Sequence, residues 1–435
     1  MEKIKVAIVG AGPAGLSAAY VLAKNGIEVL VLERGKYSGS KNMMGGVLYS
    51  AALAKIIPEF YLDAPLERFV SKKKWFFLGE GNEISFEFKT DNFKPPYYNH
   101  SFVVLRAKFD DWFAKKVEEA GAVIAYETLV DDVIMENGRV VGIKIRNEEG
   151  EEDLFCDIVI AADGVNSLIA QKAGLRKDIT KEAVALSVKE IIQLSEGIIN
   201  ERFGLKNSEG VAYEYIIPDK EGKYVGSAFL YTNKDSISLG VGFILDSLVK
   251  TGINPHDFLE EFKKQSSVAA LIKDGVVKEY SSHLIFEGGY DEMPKIYCPG
   301  LMVIGEAAGL INSSIYKEGA NLAIESGILS AETAINAIKL NDFGEKSLAL
   351  YKKLLERSFP IKDLKKFKNF KHLFEKPEMF SRAIIALNAL EEVFKCDNLP
   401  KEEHIKKARK IFFKDYSLKK IIKDAWTIFK SVRSK

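Results

Sequence analysis

The chain has 435 residues, 47% of them hydrophobic and 28% charged, with a formal net charge of +1. These proportions exclude wholesale disorder and leave room for two or three domains with substantial cores. The charge is unevenly spread: residues 341–435 hold 24 Lys/Arg against 13 Asp/Glu, so an acidic body carries a basic C-terminal region.

In chain order, "KVAIVGAGPAGLSAAYVLAKNGIEVLVLERG" reads as strand, tight turn, helix and strand. The β-branched run Val6 to Val9 leads into Gly10, Gly12 and Gly15. A helix from Pro13 to about Lys24 stops at Asn25-Gly26, and Val29 to Leu32 forms the next strand. Further on, "FVVLRAKFDDWFAKKVEEAGAVIAYETLV" gives a strand-like start, an amphipathic helix, a glycine stop and a strand. "VDDVIMENGRVVGIKI" is a hairpin turning at Asn137-Gly138, and "FCDIVIAADG" is a buried strand ending at Asp163-Gly164.

Residues 183–290 alternate and are rich in strand formers, as in "YEYIIP", "YVGSAFLYT" and "SISLGVGFIL". They read as an antiparallel sheet inserted between segments of a nucleotide-binding domain. The chain returns with "GLMVIGEAAGLINSSIYKEGANLAIESG", a strand, a Gly-rich turn and a long helix, and beyond residue 343 it is helical. The expected division is therefore 1–182 with 291–342 as a discontinuous nucleotide domain, 183–290 as the sheet domain, and 343–435 as a helical, basic region.

Gly10-Ala11-Gly12-Pro13-Ala14-Gly15 matches G-x-G-x-x-G between a strand and a helix. Gly10 permits the turn, Gly12 admits a pyrophosphate to the backbone, and Gly15 allows close helix–strand packing. The helix N-terminus offers free N–H groups to phosphates. Glu33, ending the second strand, places a carboxylate where ribose hydroxyls bind. A second complete fingerprint is missing: "LGVGFILD" has Gly240 and Gly242 but Leu245 in the third position. One nucleotide domain with two separated Gly-rich turns fits FAD better than NAD.

These segments, with "IVIAADGVNS", resemble the FAD-binding segments of the glutathione-reductase-type flavoproteins. They are similar in particular to the branch of geranylgeranyl reductases and electron-transfer-flavoprotein:quinone oxidoreductases. "GSKNMMGGVLY", "GSAFLYTNKDSISLGVGF" and "EYSSHLIFEGGYDEMPKIYCPGLMVIGEAAG" narrow the resemblance to the FixC (EtfC) family. It implies an α/β fold: a glutathione-reductase-type, Rossmann-like FAD domain with an inserted antiparallel substrate sheet and a helical C-terminal region. It also implies that Gly10, Gly12, Ala14 and Gly15 hold the pyrophosphate, and Glu33 and Arg34 the adenosine half. Arg106 would reach the phosphate and ribityl region, Val130 would present its backbone to the adenine, and Asp163-Gly164 would make the second dinucleotide contact. Gly305-Glu306 occupies a Gly-Asp position for the ribityl chain. Glu306 departs from that pattern by one methylene. Gly319, Ala320 and Asn321 would open a helix facing the flavin N1/O2 edge. Gly45 and Gly46 would let the backbone lie along the ring, with Met43 or Met44 against a π-face.

The resemblance further implies a chain that passes electrons from the alpha and beta subunits of an electron transfer flavoprotein to a menaquinone or ubiquinone. The setting would be an electron-bifurcating EtfABCX/FixABCX complex with NADH as donor and ferredoxin as second acceptor. Three cysteines, Cys156, Cys298 and Cys396, lie far apart with no C-x-x-C pair, too few for a four-thiolate cluster or a disulfide framework. No metal site is expected in this chain, and a small ferredoxin-like partner would carry the iron–sulfur centre. The alternative is a geranylgeranyl reductase saturating isoprenoid lipids.

No side chain is expected to act covalently, because the flavin carries the chemistry. His283 could shuttle a proton or be structural. Tyr213, Tyr215, Phe229, Tyr231 and Phe243 could line an apolar cavity or simply fill the sheet core. Lysines interleaved with Phe, Ile and Trp426 near the C-terminus suit an anionic lipid surface or a protein partner equally. No apolar run reaches the length of about 18 residues that spans a bilayer, and the first residues enter a strand at once. A cytoplasmic protein, or one peripheral on the cytoplasmic face of a membrane, is expected. Nucleic acid is not an expected partner, since the body is acidic and no binding module appears.

Overall fold

The run Ile4–Val9 (β1) is buried from Val6 onward, as a strand covered on both faces must be. The helix Pro13–Lys24 (α1) follows with Pro at its first turn, where the missing N–H costs nothing. Val29–Leu32 (β2) then pairs parallel to β1. The helix Arg106–Glu119 (α2) precedes Val123–Ala125 (β3), which pairs parallel to β2. On the other side of β1 lie Gly150–Ala161 (β4) and Leu301–Val303 (β5), also parallel. The resulting order β3-β2-β1-β4-β5 is that of a dinucleotide-binding sheet, with the long helix Ala320–Leu340 (α3) after the last parallel strand.

This computed structural model describes residues 3–42, 45–90, 101–206 and 208–432. The chain forms two units. The first comprises Met1–Phe69, Lys94–Val184 and Leu284–Lys365. Its core gathers Val6, Ile8, Leu16, Val31, Ile158, Ile160, Met302 and Ile324 around the parallel sheet. The hairpin Leu129–Glu136 with Arg139–Asn147 continues antiparallel onto the start of β4. It turns where read, with Asn137 at φ 47 and Gly138 at φ 76.

The second unit comprises Val70–Phe93, Ala185–His283 and Lys366–Lys435. Its antiparallel sheet runs in the order Val276–Phe286, Val184–Gln193, Ser236–Ile244, Val225–Thr232, Glu209–Pro218, Leu66–Leu78, with Glu83–Lys89 paired at the edge. Short helices at Glu196–Phe203, Pro255–Lys263 and Ser266–Ile272 cover one face of it. Tyr213, Tyr215 and Phe243 belong to that core, Tyr215 stacking on Phe76 at 4.4 Å. Phe229 and Tyr231 lie on the opposite face, stacked on each other at 4.9 Å. One row across that face aligns Lys189, Gly240, Phe229 and Glu214. A Cβ on Gly240 would meet Phe229 Cζ at 2.5 Å, so the missing side chain is what lets the ring lie across the sheet. His283 is half-buried on the edge strand.

The C-terminal helices of this unit are tied by charge. His404, between Glu392 and Asp397, has a carboxylate oxygen 2.9 Å from each ring nitrogen. Arg382 holds Asp424 through two bonds of 2.7 Å. The Asp424 side chain is buried, so removing its partner strands a charge there. Arg382→Ala should therefore cost the last helix, Leu418–Val432, roughly 3 kcal/mol. Hydrogen exchange should show this as an acceleration of about two decades across that helix, with β1–β5 unaffected.

Candidate functional site

The carboxyl ends of β1, β4 and β5 meet at one edge of the first unit, where each hands the chain to a tight turn. After β1, Gly10 takes φ +103, and a Cβ there would stand 2.6 Å from Ala162 O in the turn after β4. A Cβ on Gly15 would collide with Gly10 O, so α1 sits directly against the turn. Around Gly12 the opposite holds: nothing lies within 4 Å of the missing side chain. Two glycines are thus demanded by packing, and the one between them faces open space beside the free N–H groups of α1.

Glu33 leaves β2 half-buried, and its carboxylate accepts from Ala11 N–H at 2.9 Å and Gly35 N–H at 2.7 Å. It therefore braces the turn as well as facing the edge. Ser38, fully buried, donates its hydroxyl to Ala11 O from the next loop. Arg34 is exposed beside it. Glu33 also receives Thr128 N–H at its carbonyl, which brings the strand carrying Val130 to the same edge.

Gly45 and Gly46 open the strand Gly45–Tyr49, and Gly45 pairs with Leu105, the residue before Arg106. The Arg106 guanidinium is turned onto Asp110 in two 2.8 Å bonds. Burial works against its charge, and the Asp110 carboxylate outweighs that cost and strengthens its hold on the proton. Met44, like Met43, lies outside the described residues.

After β4, Asp163 accepts from Ile169 N–H at 3.1 Å through one oxygen. Its other oxygen, Oδ1, is buried without a hydrogen-bond partner. Burial raises this carboxyl above the usual range, with backbone N–H donors opposing the shift. A buried acceptor left unpaired in a polar turn is a ligand position in want of a donor. Gly164 adopts φ +71 beside it.

After β5, Gly305 takes φ +61, and a Cβ there would meet Ala14 Cβ at 2.7 Å. Its N–H donates to Ser326 Oγ at 2.9 Å. Glu306 uses its extra reach to accept Phe286 N–H at 2.9 Å. Gly319 caps α3, and Ala320 starts it. Asn321 turns inward: its amide oxygen accepts Ala52 N–H at 2.8 Å and its nitrogen donates to Glu318 at 2.6 Å.

All the described candidates fall in the first unit; those in the turns after β1, β2, β4 and β5 share one edge of its parallel sheet, while Gly45 and Gly46 begin a strand of the antiparallel sheet. Ser38, Ser326 and Arg176, which donates to Ala307 O at 2.8 Å, complete the edge without any motif to announce them. The residues fit a dinucleotide: an open approach at Gly12, an uncommitted helix N-terminus and an unpaired buried Asp163 oxygen. Gly12→Ala should leave thermal stability within about 0.5 kcal/mol of wild type while lowering the dinucleotide recovered with the protein. Gly15→Ala should lose both, because its Cβ overlaps backbone. Stoichiometry of released dinucleotide alongside thermal melts separates the two.

Residues 3–199 match the FAD binding domain family, and residues 370–433 match the ETF-QO/FixC family C-terminal domain. The FixC protein of Bradyrhizobium diazoefficiens is 39% identical over 438 residues, covering 99% of both chains. A probable electron transfer flavoprotein-quinone oxidoreductase of Escherichia coli is 37% identical over 403 residues, covering 92% of each. Among solved structures, a geranylgeranyl bacteriochlorophyll reductase-like protein of Thermoplasma acidophilum superposes with a TM-score of 0.70 over 99% of this chain and 98% of its own, at 23% identity. That likeness shows the fold; the full-length sequence match goes further, and the chain belongs to the ETF-QO/FixC family of FAD-dependent oxidoreductases.

Proposed function

We propose that the chain accepts electrons from an electron transfer flavoprotein and delivers them to a quinone. Its setting is an EtfABCX-type bifurcating complex, with NADH as donor and ferredoxin as second acceptor. The observation that carries this reading is the match of residues 370–433 to a domain of the ETF-QO/FixC family, on a chain alike to FixC from end to end. Three cysteines cannot supply four thiolates. That supports a separate, small ferredoxin-like subunit as the holder of the iron–sulfur centre.

In this reading FAD lies along the edge described above and supplies the two-electron chemistry when bound. Gly10, Gly12, Ala14 and Gly15 hold its pyrophosphate, Glu33 and Arg34 the adenosine ribose, and the backbone of Val130 its adenine. Asp163 and Gly164 take a hydroxyl or amide of the chain's middle, and Gly305 with Glu306 flanks the ribityl portion. Gly45 and Gly46 lie along the ring, with Arg106 beside them. The N-terminus of α3, at Gly319, Ala320 and Asn321, offsets negative charge that develops there on reduction. Phe229 and Tyr231, the aromatic pair not consumed by the sheet core, suit an isoprenoid quinone. The isoprenoid-reductase alternative draws on the fold alone.

Anaerobic mixing with reduced electron transfer flavoprotein should bleach the yellow chromophore of the purified chain, and a short-chain quinone should restore it. A chromophore that the flavoprotein cannot bleach ends the assignment. Hydrogens gained by an isoprenoid lipid, seen by mass spectrometry, would transfer it to the alternative.

Peripheral attachment to an anionic membrane has its support in the last helix. Leu418, Ile422, Trp426 and Phe429 form an outward stripe, Trp426 56% exposed and stacked on Phe429 at 5.6 Å. Lys419, Lys420, Lys423 and Lys430 stand around it, Lys430 over the Trp426 ring at 5.3 Å. No helix among the described residues is long and apolar enough to cross a membrane. Vesicles rich in anionic lipid should carry the protein in flotation and shift Trp fluorescence to the blue. Trp426→Ser with Ile422→Ser should abolish both, and high salt should weaken binding. Equal flotation of the double variant would reassign the stripe to a protein partner.

A further inference from the structure

Among the described strands, Glu83–Lys89 is the one exposed at every residue. On its inner side it pairs antiparallel with Lys72–Leu78 in an unbroken register, Trp75 opposite Phe86 and Phe77 opposite Ile84. On its outer side no described strand pairs with it. Alternate N–H and C=O groups therefore point off the sheet, a row of donors and acceptors that another strand can take up. Such edges are commonly blunted by a proline or a bulge. This one carries neither.

Its two faces differ in chemistry. Ile84, Phe86 and Phe88 alternate onto one face and are 49%, 62% and 56% exposed. A contiguous row of large apolar side chains in water marks a surface that meets something. Glu83, Ser85, Glu87 and Lys89 lie on the other face. There Glu83 accepts the Ser267 hydroxyl at 2.6 Å, and Lys72 Nζ stands 3.9 Å from the Glu87 carboxylate.

The order of these residues makes the strand complementary to itself. Laid antiparallel on a copy with Phe86 at the two-fold axis, Glu83 meets Lys89, Ile84 meets Phe88, Ser85 meets Glu87, and Phe86 meets its own equivalent. Opposite charges then face each other at both ends, while apolar side chains pair along the other face. A shift of the axis by one residue spoils the match. Centred on Ser85, it opposes Glu83 to Glu87; centred on Glu87, it opposes that glutamate to itself.

We propose that Glu83–Lys89 pairs with the same strand of a second copy of this chain, in a two-fold dimer with Phe86 on its axis. The contact uses one patch on both partners and closes on itself. A single short strand on each side makes a small interface, under about 1,200 Å² in total, so the dimer exchanges with monomer in the micromolar range.

Sedimentation velocity of the full chain from about 1 to about 200 μM should show dimer growing with concentration. Lys89→Glu sets like charges opposite each other twice and should weaken the dimer about tenfold. Adding Glu83→Lys to the same chain should restore it. In a Cys396→Ser background, which removes the exposed native thiol, Phe86→Cys should cross-link to its own copy under mild oxidation. Ile84→Cys should not, and should cross-link to Phe88→Cys when the two are mixed. A chain that stays monomeric throughout overturns the proposal, as does a dimer indifferent to Lys89→Glu that Phe86→Cys fails to trap. Flotation on uncharged vesicles that Phe86→Ser abolishes would give the strand to lipid instead. Loss of electron transfer flavoprotein binding in Phe86→Ser, with wild type monomeric, would give it to that protein; either result overturns the dimer.

Discussion

The first unit depends on how closely α1 can approach α3 and the strand ends behind it. The contact is made by residues with almost no side chain. Gly15 touches the Gly10 carbonyl, Gly305 would press a Cβ into Ala14, and a Cβ on Gly327 would come within 3.0 Å of Ala18 N. Ser17 bonds across the seam, its hydroxyl donating to Ala14 O at 2.8 Å and Ile324 O at 3.1 Å. With bulkier residues the helices would part, and the turns after β1 and β5 would separate with them. Because they do not, two turns nearly 300 residues apart in the chain lie together at the carboxyl edge of the parallel sheet, the place where such sheets offer a crevice to ligands.

The C-terminal part of the second unit is built on the reverse logic. An amphipathic helix ordinarily buries its apolar stripe and shows its charges. Leu418–Val432 docks instead through Asp424 on Arg382 and leaves Leu418, Ile422, Trp426 and Phe429 in water. Covering four such side chains is worth about 1.5–3 kcal/mol each, and each nearby lysine adds about 1 kcal/mol at an anionic surface. The isolated chain leaves that free energy unclaimed, and a basic rim around an apolar stripe offers it to whatever anionic surface, lipid or protein, covers the helix.

Much of the first unit was legible because its signals are local. The glycine spacing, the Asn25-Gly26 stop and the Asn137-Gly138 turn each encode their conformation within a few residues, and each element appears where read. Sheet faces are different. Tyr213, Tyr215, Phe229, Tyr231 and Phe243 are alike as residues, and only strand register separates the three in the core from the two outside it. The strand Leu66–Leu78 hides for another reason: it buries Arg68 and Lys72, and Lys72 reaches Phe203 O at 2.9 Å, a partner no periodicity discloses. At the site, Ser38 and Ser326 carry turn-bracing hydrogen bonds from ordinary-looking positions. The Arg106–Asp110 pairing was written in the sequence at helical spacing, yet it became visible only as geometry.

The Glu306 departure joins these threads. An aspartate after Gly305 would end one methylene short of Phe286 N–H; the glutamate spans the gap and anchors the strand end that bears Glu287. The longer side chain therefore carries its charge to a neighbouring strand end, where Arg106 and Arg176 both feel it. Burial first, and then that charge, raises the Glu287 carboxyl, with Ser313 and Lys317 opposing. An Asp at 306 would release the Phe286 N–H and draw its charge back, so the substitution couples the position of this strand end to the electrostatics around it. The two properties move as one because a single carboxylate serves as hydrogen-bond acceptor for the first and as source of the field for the second.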